Sequence, residues 1–442
     1  MKFAFVENRY KTLFWDKIAE ELSTLGCVIV WFVQNPLFSP KVGKAFVAPF
    51  PRRSDLLAVK RNSCYRKLAN SDRLINYFGG NAEHYDYYDT LISKWLDFEK
   101  PDVVIGESTL FHELLVIEQC KKRKIPYYHP SMPGYPGGRF AVYSYDTKTA
   151  IGDCGTIPSD DECAVIEEAI CNRQRIPEYM VAPSMKGRAY KYPLPGTLRD
   201  KLKILYGYVI GERFNTPSPL VKWKLNGKVQ VRLRKWEGLV KSKGEVHVGK
   251  KILLYPLQLQ PEANIDVWGG KFRNQAKLVR EMANSLPSSW HLIVKANPKA
   301  KYEIDDELID VLGTHSNVSP VALNHSMEDV FDQVDLICTV TGTVAVESYL
   351  CKVPLVQFGP GIVKPGLGCR QLDNAFDIGG VAIDVELGRF ELAKEGERLG
   401  LVRSLYESTY PGKVSDPLSL PEVILDRNVK SVTNALLELA RR

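Results

Sequence analysis

The feature that most constrains the fold is a repeated alternation of short apolar, strand-like runs with amphipathic, helix-like runs. Near the N-terminus, "KFAFVEN" is typical of a strand, "YKTLFWDKIAEELSTLG" of an amphipathic helix that ends at Gly26, and "CVIVWFVQN" of the next strand. Such a strand–helix–strand unit implies parallel strands joined by a right-handed crossover. A second series begins at "KILLYPLQLQPE" and continues through "WHLIVKANP", "DLICTVTGT" and "VPLVQFG". The sequence therefore predicts an α/β protein with two parallel sheets.

The chain is long enough for more than one core. At 442 residues two domains are expected, because single cores stop growing at roughly 250–300 residues. We predict an N-terminal Rossmann-like domain over residues 1–150, a helical, basic connecting segment over 151–248 and a C-terminal Rossmann-like domain over 249–442. The ending, "LPEVILDRNVKSVTNALLELARR", is predicted to be a helix that packs back on the N-terminal domain, and "GGVAIDV" (379–385) is predicted to be a strand.

Composition limits the class of protein. The chain is 45% hydrophobic and 25% charged, as in soluble globular proteins. The sequence contains no run of about 18 apolar residues, so no transmembrane helix is predicted. Charged residues interrupt the apolar N-terminus, so secretion is not expected. The nine cysteines form no CxxC pair, which favours a reducing cytoplasm over a disulfide framework or a structural zinc site.

Positive charge is concentrated in one segment. Residues 186–251 contain 17 Lys or Arg and 4 Asp or Glu, a net charge of +13, whereas the whole chain carries +7 and the remainder therefore −6. Apolar and aromatic residues are interleaved with these cations: Leu202, Leu205, Tyr206, Tyr208, Trp223 and Trp236. This pattern predicts contact with an anionic membrane surface; a solvated helical linker is the alternative. Nucleic acid is not expected, since no nucleic-acid-binding motif accompanies the charge.

Three small residues follow the strand-like run "LICTV". Thr341-Gly342-Thr343 leads directly into a helix-like pattern that contains Glu347. Gly342 permits close backbone approach, and a helix start with unpaired N–H groups and two hydroxyls forms a nest for a phosphate. Glu347 is predicted to bind sugar hydroxyls or to favour the helix N-terminus electrostatically. A tight turn without a ligand is the alternative.

Two further strand ends carry polar residues. In "VKANPK", Lys295 and Lys299 can neutralise a diphosphate or a carboxylate while Pro298 fixes the turn; an ordinary surface turn is the alternative. In "QLQPEANID", Gln260 and Glu262 are predicted to point over the ligand site. A carboxylate at that position serves as nucleophile, as base or as ribose ligand.

The first half offers one candidate acid or base. In "IGESTLFHE", Glu107 and Ser108 stand at a strand end before a helix, so Glu107 is a candidate for proton transfer or for a helix N-terminal carboxylate. His129 and His325 lie near other predicted element ends, and His325 with Ser326 is suited to cap a helix. No two histidines have metal-ligand spacing, so no metal is expected.

Taken in order, four segments carry a family resemblance: "YPLQLQPE", "LPSSWHLIVKANPK", "VDLICTVTGTVAVES" and "KVPLVQFG". They resemble bacterial capsule-polysaccharide biosynthesis proteins, which include the retaining β-Kdo transferases of capsule and O-antigen assembly that use CMP-Kdo. The resemblance covers about residues 251–359, and the N-terminal half matches in general layout. It implies a GT-B-like fold, with two Rossmann-like domains facing each other across a cleft.

The resemblance also implies residue roles. The acidic residue of a QxE-type turn, here Glu262, would be the nucleophile, and Gln260 would contact the donor. The family's "KxHP" motif, which grips the CMP phosphate or the sugar, corresponds to Lys295, Asn297 and Pro298. Asn297 stands where the family usually has His; it can donate a hydrogen bond but cannot titrate. The family's "GT" turn and its acidic partner correspond to the following residues: Thr341, Gly342, Thr343 and Glu347.

These observations predict a cytoplasmic, membrane-peripheral glycosyltransferase that builds a surface polysaccharide. Its donor would be a nucleotide sugar, preferably CMP-Kdo or a related ulosonic acid, and its acceptor a glycan or a lipid-linked glycan. Glu262 would attack the anomeric carbon and Glu107 would assist proton transfer, without a metal or another cofactor. Two alternatives remain: a UDP-sugar transferase or sugar epimerase on the same architecture, and a non-catalytic partner of capsule assembly or export.

Overall fold

The computed structural model describes most of the chain. The described residues are 1–56, 65–152, 157–175, 177, 198–243, 249–297 and 299–442. They form two compact units: unit 1 comprises Met1–Ile157, Pro177–Val221 and Leu405–Arg442, and unit 2 comprises Pro158–Ile176 and Lys222–Ser404. The units interleave along the chain, whereas the predicted division at residues 150 and 248 is contiguous. Those boundaries stay a prediction about domains.

The described part of the chain alternates strands and helices throughout. The strands are β1 (Lys2–Val6), β2 (Val28–Val33), β3 (Lys44–Val47), β4 (Val103–Ile105), β5 (Tyr127–Ser131), β6 (Arg139–Ser144), β7 (Lys251–Pro256), β8 (Trp290–Lys295), β9 (Val318–Pro320), β10 (Leu336–Thr339), β11 (Leu355–Gln357), β12 (Cys369–Gln371) and β13 (Tyr410–Pro411).

The α-helices lie between and after these strands. They are α1 (Thr12–Thr24), α2 (Tyr65–Ser71), α3 (Arg73–Tyr77), α4 (Tyr85–Glu99), α5 (Phe111–Arg123), α6 (Asp160–Cys171), α7 (Leu198–Ile210), α8 (Pro219–Lys243), α9 (Ala263–Asp266), α10 (Gln275–Ser285), α11 (Asp306–Thr314), α12 (Glu328–Phe331), α13 (Val344–Leu350), α14 (Ile378–Glu386), α15 (Glu395–Glu407) and α16 (Asp426–Arg441). None of the described helices combines the length and the apolar composition needed to cross a bilayer.

Unit 1 is built on a seven-stranded sheet in the order β13-β6-β5-β4-β1-β2-β3. The five strands from β1 to β5 run parallel to one another. At one edge of the sheet β6 pairs antiparallel with β5, and β13 pairs antiparallel with β6. In the register of the central strands, Phe3 of β1 lies opposite Ile29 of β2 and Val103 of β4. Both faces of such a sheet are covered, which explains why its strands are almost continuously apolar.

The core of unit 1 joins the two ends of the chain. Helix α1 buries Phe14, Trp15, Ile18 and Leu22 at helical spacing and ends before Gly26, whose φ of 82° suits glycine. The terminal helix α16 packs on α1, and its buried stripe runs through Val432 and Leu436. The predicted terminal helix is therefore present, and its apolar side completes the core that α1 begins.

Unit 2 is built on a six-stranded sheet in the order β12-β11-β10-β7-β8-β9, in which every described pairing is parallel. Relative to its first strand, β7, this is the 3-2-1-4-5-6 order of a Rossmann fold. The α/β class with two sheets of mainly parallel strands is thus confirmed.

One predicted element has the wrong type. Residues 379–385, predicted to be a strand, lie within helix α14. Ile378, Val381 and Ala382 are buried at helical spacing in the unit 2 core, and α14 packs on α10. A short apolar run next to glycine fits either a buried strand or a buried helix, so its periodicity alone does not decide between them.

Candidate functional site

Each unit has a point where the strand order reverses direction. In unit 2 it lies between β7 and β10, and in unit 1 between β1 and β4. At this point the connections after two neighbouring parallel strands run in opposite directions. A crevice therefore opens at the carboxyl ends of the strands, and ligands of such sheets bind in it. The candidate residues of the C-terminal half follow β7, β8 and β10, while Glu107 follows β4 of unit 1.

In unit 2, Gln258 joins the two loops at the reversal point. Its Nε2 donates to Oγ1 of Thr341 over 2.8 Å, and its Oε1 accepts from the Thr341 backbone N–H over 3.1 Å. The Thr341 hydroxyl in turn donates to the carbonyl oxygen of Asn264 over 2.6 Å. The loop after β10 is therefore tied to the loop after β7 by side-chain hydrogen bonds.

The loop Thr341-Gly342-Thr343 is a tight turn. The Gly342 N–H donates to Oγ1 of Thr339 over 3.0 Å, and a Cβ on Gly342 would lie 2.6 Å from that oxygen. At the start of α13, the N–H groups of Ala345 and Val346 donate to the carbonyls of Gly342 and Thr343. These amides, and that of Thr341, are occupied by protein groups, so the expected nest of unpaired N–H groups is not formed by them.

Gln260 belongs to a buried amide network. Its Nε2 donates to Oδ1 of Asp266 over 2.8 Å, and its Oε1 accepts from Nε2 of Gln275 over 3.2 Å. Gln275 also pairs with the Gln258 backbone in both directions, at 2.8 Å each, and Arg273 donates to Asp266 over 2.8 Å. The Gln260 side chain thus supports the loop after β7 from within.

Glu262 and Glu303 are neighbouring carboxyl groups with different surroundings. Glu262 precedes α9 with an extended backbone and is exposed. Glu303 is 2% exposed; its Oε2 accepts from the Lys301 N–H over 3.0 Å, while its Oε1 has no hydrogen-bond partner within the described residues. Burial raises the pKa of Glu303 to about 7, and the negative charge of Glu262 adds to that rise. The Glu303 carboxyl therefore titrates near neutral pH, well above the ordinary range of a glutamate.

Lys295 ends β8 and is 6% exposed. Across the described part of the chain its ammonium makes no hydrogen bond and no ion pair within 4.0 Å. Burial lowers the pKa of Lys295, and Asp329 opposes the change from a longer distance. A buried cation of this kind is stabilised by an anionic ligand.

Asn297 and Pro298 follow in the same loop. Asn297 is half-buried, and its Oδ1 accepts from the Lys299 N–H over 2.9 Å, so it shapes the turn itself. Its amide nitrogen donates to no protein acceptor among the described residues. Pro298 lies outside the described residues.

Glu347 is paired inside unit 2. It is 4% exposed and forms an ion pair and hydrogen bond with Arg173, which follows α6. The Arg173 guanidinium also lies 4.4 Å from the centre of the Phe331 ring. Removing one member of a buried pair leaves an uncompensated charge, so this pair has a structural role whatever else Glu347 does.

In unit 1, Glu107 lies in a charged cluster at the carboxyl end of β4. Its carboxylate forms an ion pair with Lys11, and Nε2 of His129 lies 3.2 Å from its Oε2. Burial alone would raise the pKa of Glu107, but Lys11 and His129 outweigh burial and lower it. Nδ1 of His129 is 3.1 Å from Oγ of Ser108, but Ser108 is completely buried, so a dissolved substrate does not reach that hydroxyl in this structure.

The structure thus brings together most of the predicted residues of the C-terminal half. The loops after β7, β8 and β10 hold the following described candidates: Gln260, Glu262, Lys295, Asn297, Thr341, Gly342 and Thr343. Sequence reasoning missed Gln258, Glu303 and Arg173. Gln258 lies in the quoted "QLQPE" turn and its position signalled a role, whereas Glu303 and Arg173 stand in stretches without a motif. Among the described residues no group of three or more His, Cys, Asp or Glu is arranged to hold a metal ion.

Comparisons with known proteins add the fold-level context. No protein-family model matches the chain, and no curated protein matches it either. Solved structures do match over nearly their whole length. A β-Kdo 2,7 transferase, KpsC, from Thermosulfurimonas dismutans shares 10% identity with 99% coverage of both chains and a TM-score of 0.39.

Two other similar structures represent different activities. A glycosyltransferase from Rickettsia africae shares 10% identity over 99% of this chain and 98% of its own, with a TM-score of 0.31. A UDP-GlcNAc 2-epimerase from Methanocaldococcus jannaschii, in complex with UDP-GlcNAc and UDP, shares 15% identity over 92% of this chain and 99% of its own, with a TM-score of 0.28. At such low identities and TM-scores, these likenesses carry no argument about the reaction of this chain.

Proposed function

We propose that the chain is a glycosyltransferase of bacterial surface-polysaccharide synthesis. It transfers a sugar from a nucleotide sugar to a glycan or glycolipid acceptor, and its preferred donor is CMP-Kdo or a related ulosonic acid. The observation that carries the proposal is a set of groups at the carboxyl ends of the unit 2 strands: the carboxyl groups of Glu262 and Glu303, which follow β7 and β8, and the buried cation Lys295 at the end of β8.

The charges of this set suit such a donor. CMP-Kdo carries one phosphate and one carboxylate, and Lys295 is a buried ammonium without an ion-pair partner among the described residues. In the proposal, Lys295 and Asn297 contact the anionic groups of the donor. Because Gln260 and Glu347 already bind protein groups, their proposed role is to stabilise the loops and helix around the site. The turn from Thr341 to Thr343 forms its floor.

The proposed reaction has two displacement steps. The Glu262 carboxylate attacks the anomeric carbon, the bond from that carbon to the phosphate oxygen breaks, and CMP leaves with the bonding electrons. An acceptor hydroxyl then attacks the same carbon, its proton passes to a base, and the Glu262 carboxylate leaves. Glu303, whose pKa of about 7 leaves it partly protonated at neutral pH, carries less than a full negative charge near the nucleophile.

Glu107 is proposed as the base that accepts the proton of the acceptor. Its lowered pKa keeps it ionised at neutral pH, but the same shift makes it a weak base. Its proposed contribution is therefore modest, about 10²-fold in rate at the low end of general-base effects.

The direct test of the nucleophile compares wild type with Glu262→Gln and with Glu395→Gln, an exposed matched control on α15. Transfer from CMP-Kdo to an isolated polysaccharide or glycolipid acceptor is followed by product analysis. We expect Glu262→Gln to lower the rate at least about 1,000-fold and Glu395→Gln to leave it unchanged. Transfer by Glu262→Gln at the wild-type rate would overturn the assignment.

Nucleotide binding separates the donor classes. We expect CMP to raise the thermal midpoint of the wild-type chain and UDP at the same concentration to leave it unchanged, because a ligand stabilises the state that it binds. A shift with UDP alone would favour a UDP-sugar transferase or epimerase. No shift with either nucleotide would favour a non-catalytic partner of capsule assembly.

A sugar epimerase is the second candidate, favoured by one observation. The Glu303 carboxyl, with a pKa of about 7, and the Glu262 carboxylate that acts on it are candidates for the acid and the base that epimerisation requires. An epimerase converts a UDP-sugar without any acceptor, so incubation of the chain with UDP-GlcNAc alone distinguishes the two reactions. Conversion of the sugar in that mixture would replace the transferase proposal.

A further inference from the structure

Helix α7 exposes an apolar stripe. Leu202, Leu205, Tyr206 and Val209 recur at the spacing of one helical face, and they are 56%, 43%, 59% and 65% exposed. A helix on the surface of a soluble protein normally turns polar residues outward. A contiguous exposed apolar face of this kind marks a contact surface.

The opposite face of α7 is held by the rest of unit 1. Ile204 and Gly207 line a small pocket together with Arg9 and Glu212. At Gly207 an added Cβ would lie 2.6 Å from Cδ1 of Leu37, so the helix backbone approaches that side chain closely. Because this face packs on other residues of unit 1, the apolar stripe lies on the outer side of the helix.

Cations flank the stripe on both sides. Lys201 is exposed, and a rotation of 100° per residue places it on one side of the stripe and Lys203 on the other. Nζ of Lys203 lies 4.7 Å from the centre of the Phe38 ring, and the exposed Arg213 follows the end of the helix. Within α7 the charged residues are Arg199, Asp200, Lys201 and Lys203, which sum to a net charge of +2.

Not every aromatic residue of the basic segment belongs to this surface. Trp236 of α8 is completely buried in the core of unit 2, and its Nε1 donates to the carbonyl oxygen of Val321 over 2.9 Å. Trp236 therefore takes no part in the membrane contact expected for 186–251, whereas Leu220 and Trp223 of α8 are 72% and 74% exposed.

We propose that the apolar stripe of α7, defined by Leu202, Leu205, Tyr206 and Val209, docks on an anionic lipid bilayer. The helix has 13 residues, too few to span a membrane of about 20 residues' helical length, so it lies in the plane of the interface. The four side chains enter the boundary of headgroups and acyl chains, and Lys201 and Lys203 bind lipid phosphates. Charge complementarity selects an anionic bilayer over an uncharged partner. The docking does not depend on the proposed reaction.

The test measures binding of the full chain to vesicles by flotation, with no substrate present. Vesicles of phosphatidylcholine are compared with vesicles that contain phosphatidylglycerol as well, at low and at high salt. Val209→Glu is the test variant, and Val165→Glu on α6 is its matched control, because Val165 is 62% exposed and also helical. Leu202→Glu is a second test variant. Thermal unfolding of every variant checks that it is folded.

We expect wild type and Val165→Glu to bind the anionic vesicles equally and salt to weaken that binding. Val209→Glu and Leu202→Glu should each bind at least about tenfold more weakly. Equal binding by wild type and both test variants overturns the proposal, as does equal binding to the uncharged vesicles. A wild-type dimer that Val209→Glu dissociates, without vesicle binding, assigns the stripe to a second copy and also overturns it. Absence of vesicle binding by a wild-type monomer overturns it as well.

Discussion

The reversal points of the two sheets are both polar, but they are built from different chemistry. In unit 1 the carboxyl end of β4 carries full charges that cancel one another: Glu107 is paired with Lys11 and lies beside His129. In unit 2 the loops after β7 and β10 are joined by neutral groups, chiefly the amide of Gln258 and the hydroxyl of Thr341. The charged residues nearby, Lys295 and Glu303, are not matched to each other.

This difference indicates where a charged ligand would gain most. In a cluster of paired charges, the ion pairs already offset the free-energy cost of desolvation. A new anion there would compete with an internal partner. An amide network fixes the loops without using charge, so the buried ammonium of Lys295 and the buried carboxyl of Glu303, which are not paired with each other, keep their capacity for a ligand. The comparison therefore favours unit 2 as the donor side, and the following predictions test it.

The largest expected effect is the loss of charge pairing in unit 1. Lys11→Met should lower the free energy of unfolding by about 3–5 kcal/mol, because it leaves the Glu107 carboxylate buried without its ion pair. The measurement is urea-induced unfolding at pH 7.

Two variants control this experiment. Lys17→Met breaks an exposed pair with Glu20 and should cost less than about 1 kcal/mol. The double variant Lys11→Met/Glu107→Gln removes both charges and should be more stable than Lys11→Met alone. If Lys11→Met behaves like Lys17→Met, the pairing described for unit 1 does not stabilise the fold.

The next effect is a pH dependence that belongs to unit 2. The pKa of Glu303 is raised from about 4.5 to about 7, so the folded state keeps a proton that the unfolded state releases. Stability from this group is therefore full below about pH 4.5 and is lost as pH rises to about 7, by about 3 kcal/mol in all. Glu303→Gln should remove this loss, which is measured as the difference from wild type in unfolding free energy at pH 5 and pH 8.

For Glu107 we expect the opposite dependence of the unfolding free energy on pH. Its pKa is lowered, so its contribution is present above its ordinary value and is lost as pH falls through the folded-state pKa. Glu107→Gln should thus change the acid limb of the stability profile, and Glu303→Gln the limb between about pH 4.5 and about 7. A Glu303→Gln profile parallel to that of wild type over this range would contradict the buried, protonated carboxyl.

The smallest expected effect concerns the amide link itself. Gln258→Met keeps the length of the side chain but removes both hydrogen bonds to Thr341, and should cost about 1–2 kcal/mol. Gln333→Met is the matched control, because Gln333 is exposed and its amide has a 3.5 Å contact with the Asp329 carbonyl; it should change stability by less than about 0.5 kcal/mol. Equal costs would mean that the Gln258 link does not stabilise the loops.

The positions of the strand ends were predictable from the sequence, and the partners of the side chains were not. Apolar runs such as "KILLYP" and "WHLIVK" locate β7 and β8, because parallel strands covered on both faces are continuously apolar. The polar residues that follow them then lie at one edge of the sheet, which is why Lys295 and Thr341 could be assigned to a common site.

Partner choice depends on contacts that are distant in sequence. Gln258 and Thr341 are 83 residues apart, and Arg173 and Glu347 are 174 apart. No spacing rule connects such pairs, so the nest at the start of α13 was inferred without knowing that protein groups accept from the N–H groups of Thr341 and Gly342. Glu303 stands among other charged residues in "KYEIDDE", and only the fold reveals that its side chain is buried.

The packing of α16 on α1 has a consequence for folding during synthesis on the ribosome. The two helices are separated by about 400 residues of chain, yet they share one apolar core with Trp15 and Leu436. A ribosome that adds 5–20 residues per second needs roughly 20–80 s to make that connection. Throughout that interval α1 can pack only on the N-terminal sheet, where Trp15 lies against Phe5, so the core shared with Leu436 stays incomplete until synthesis is almost finished.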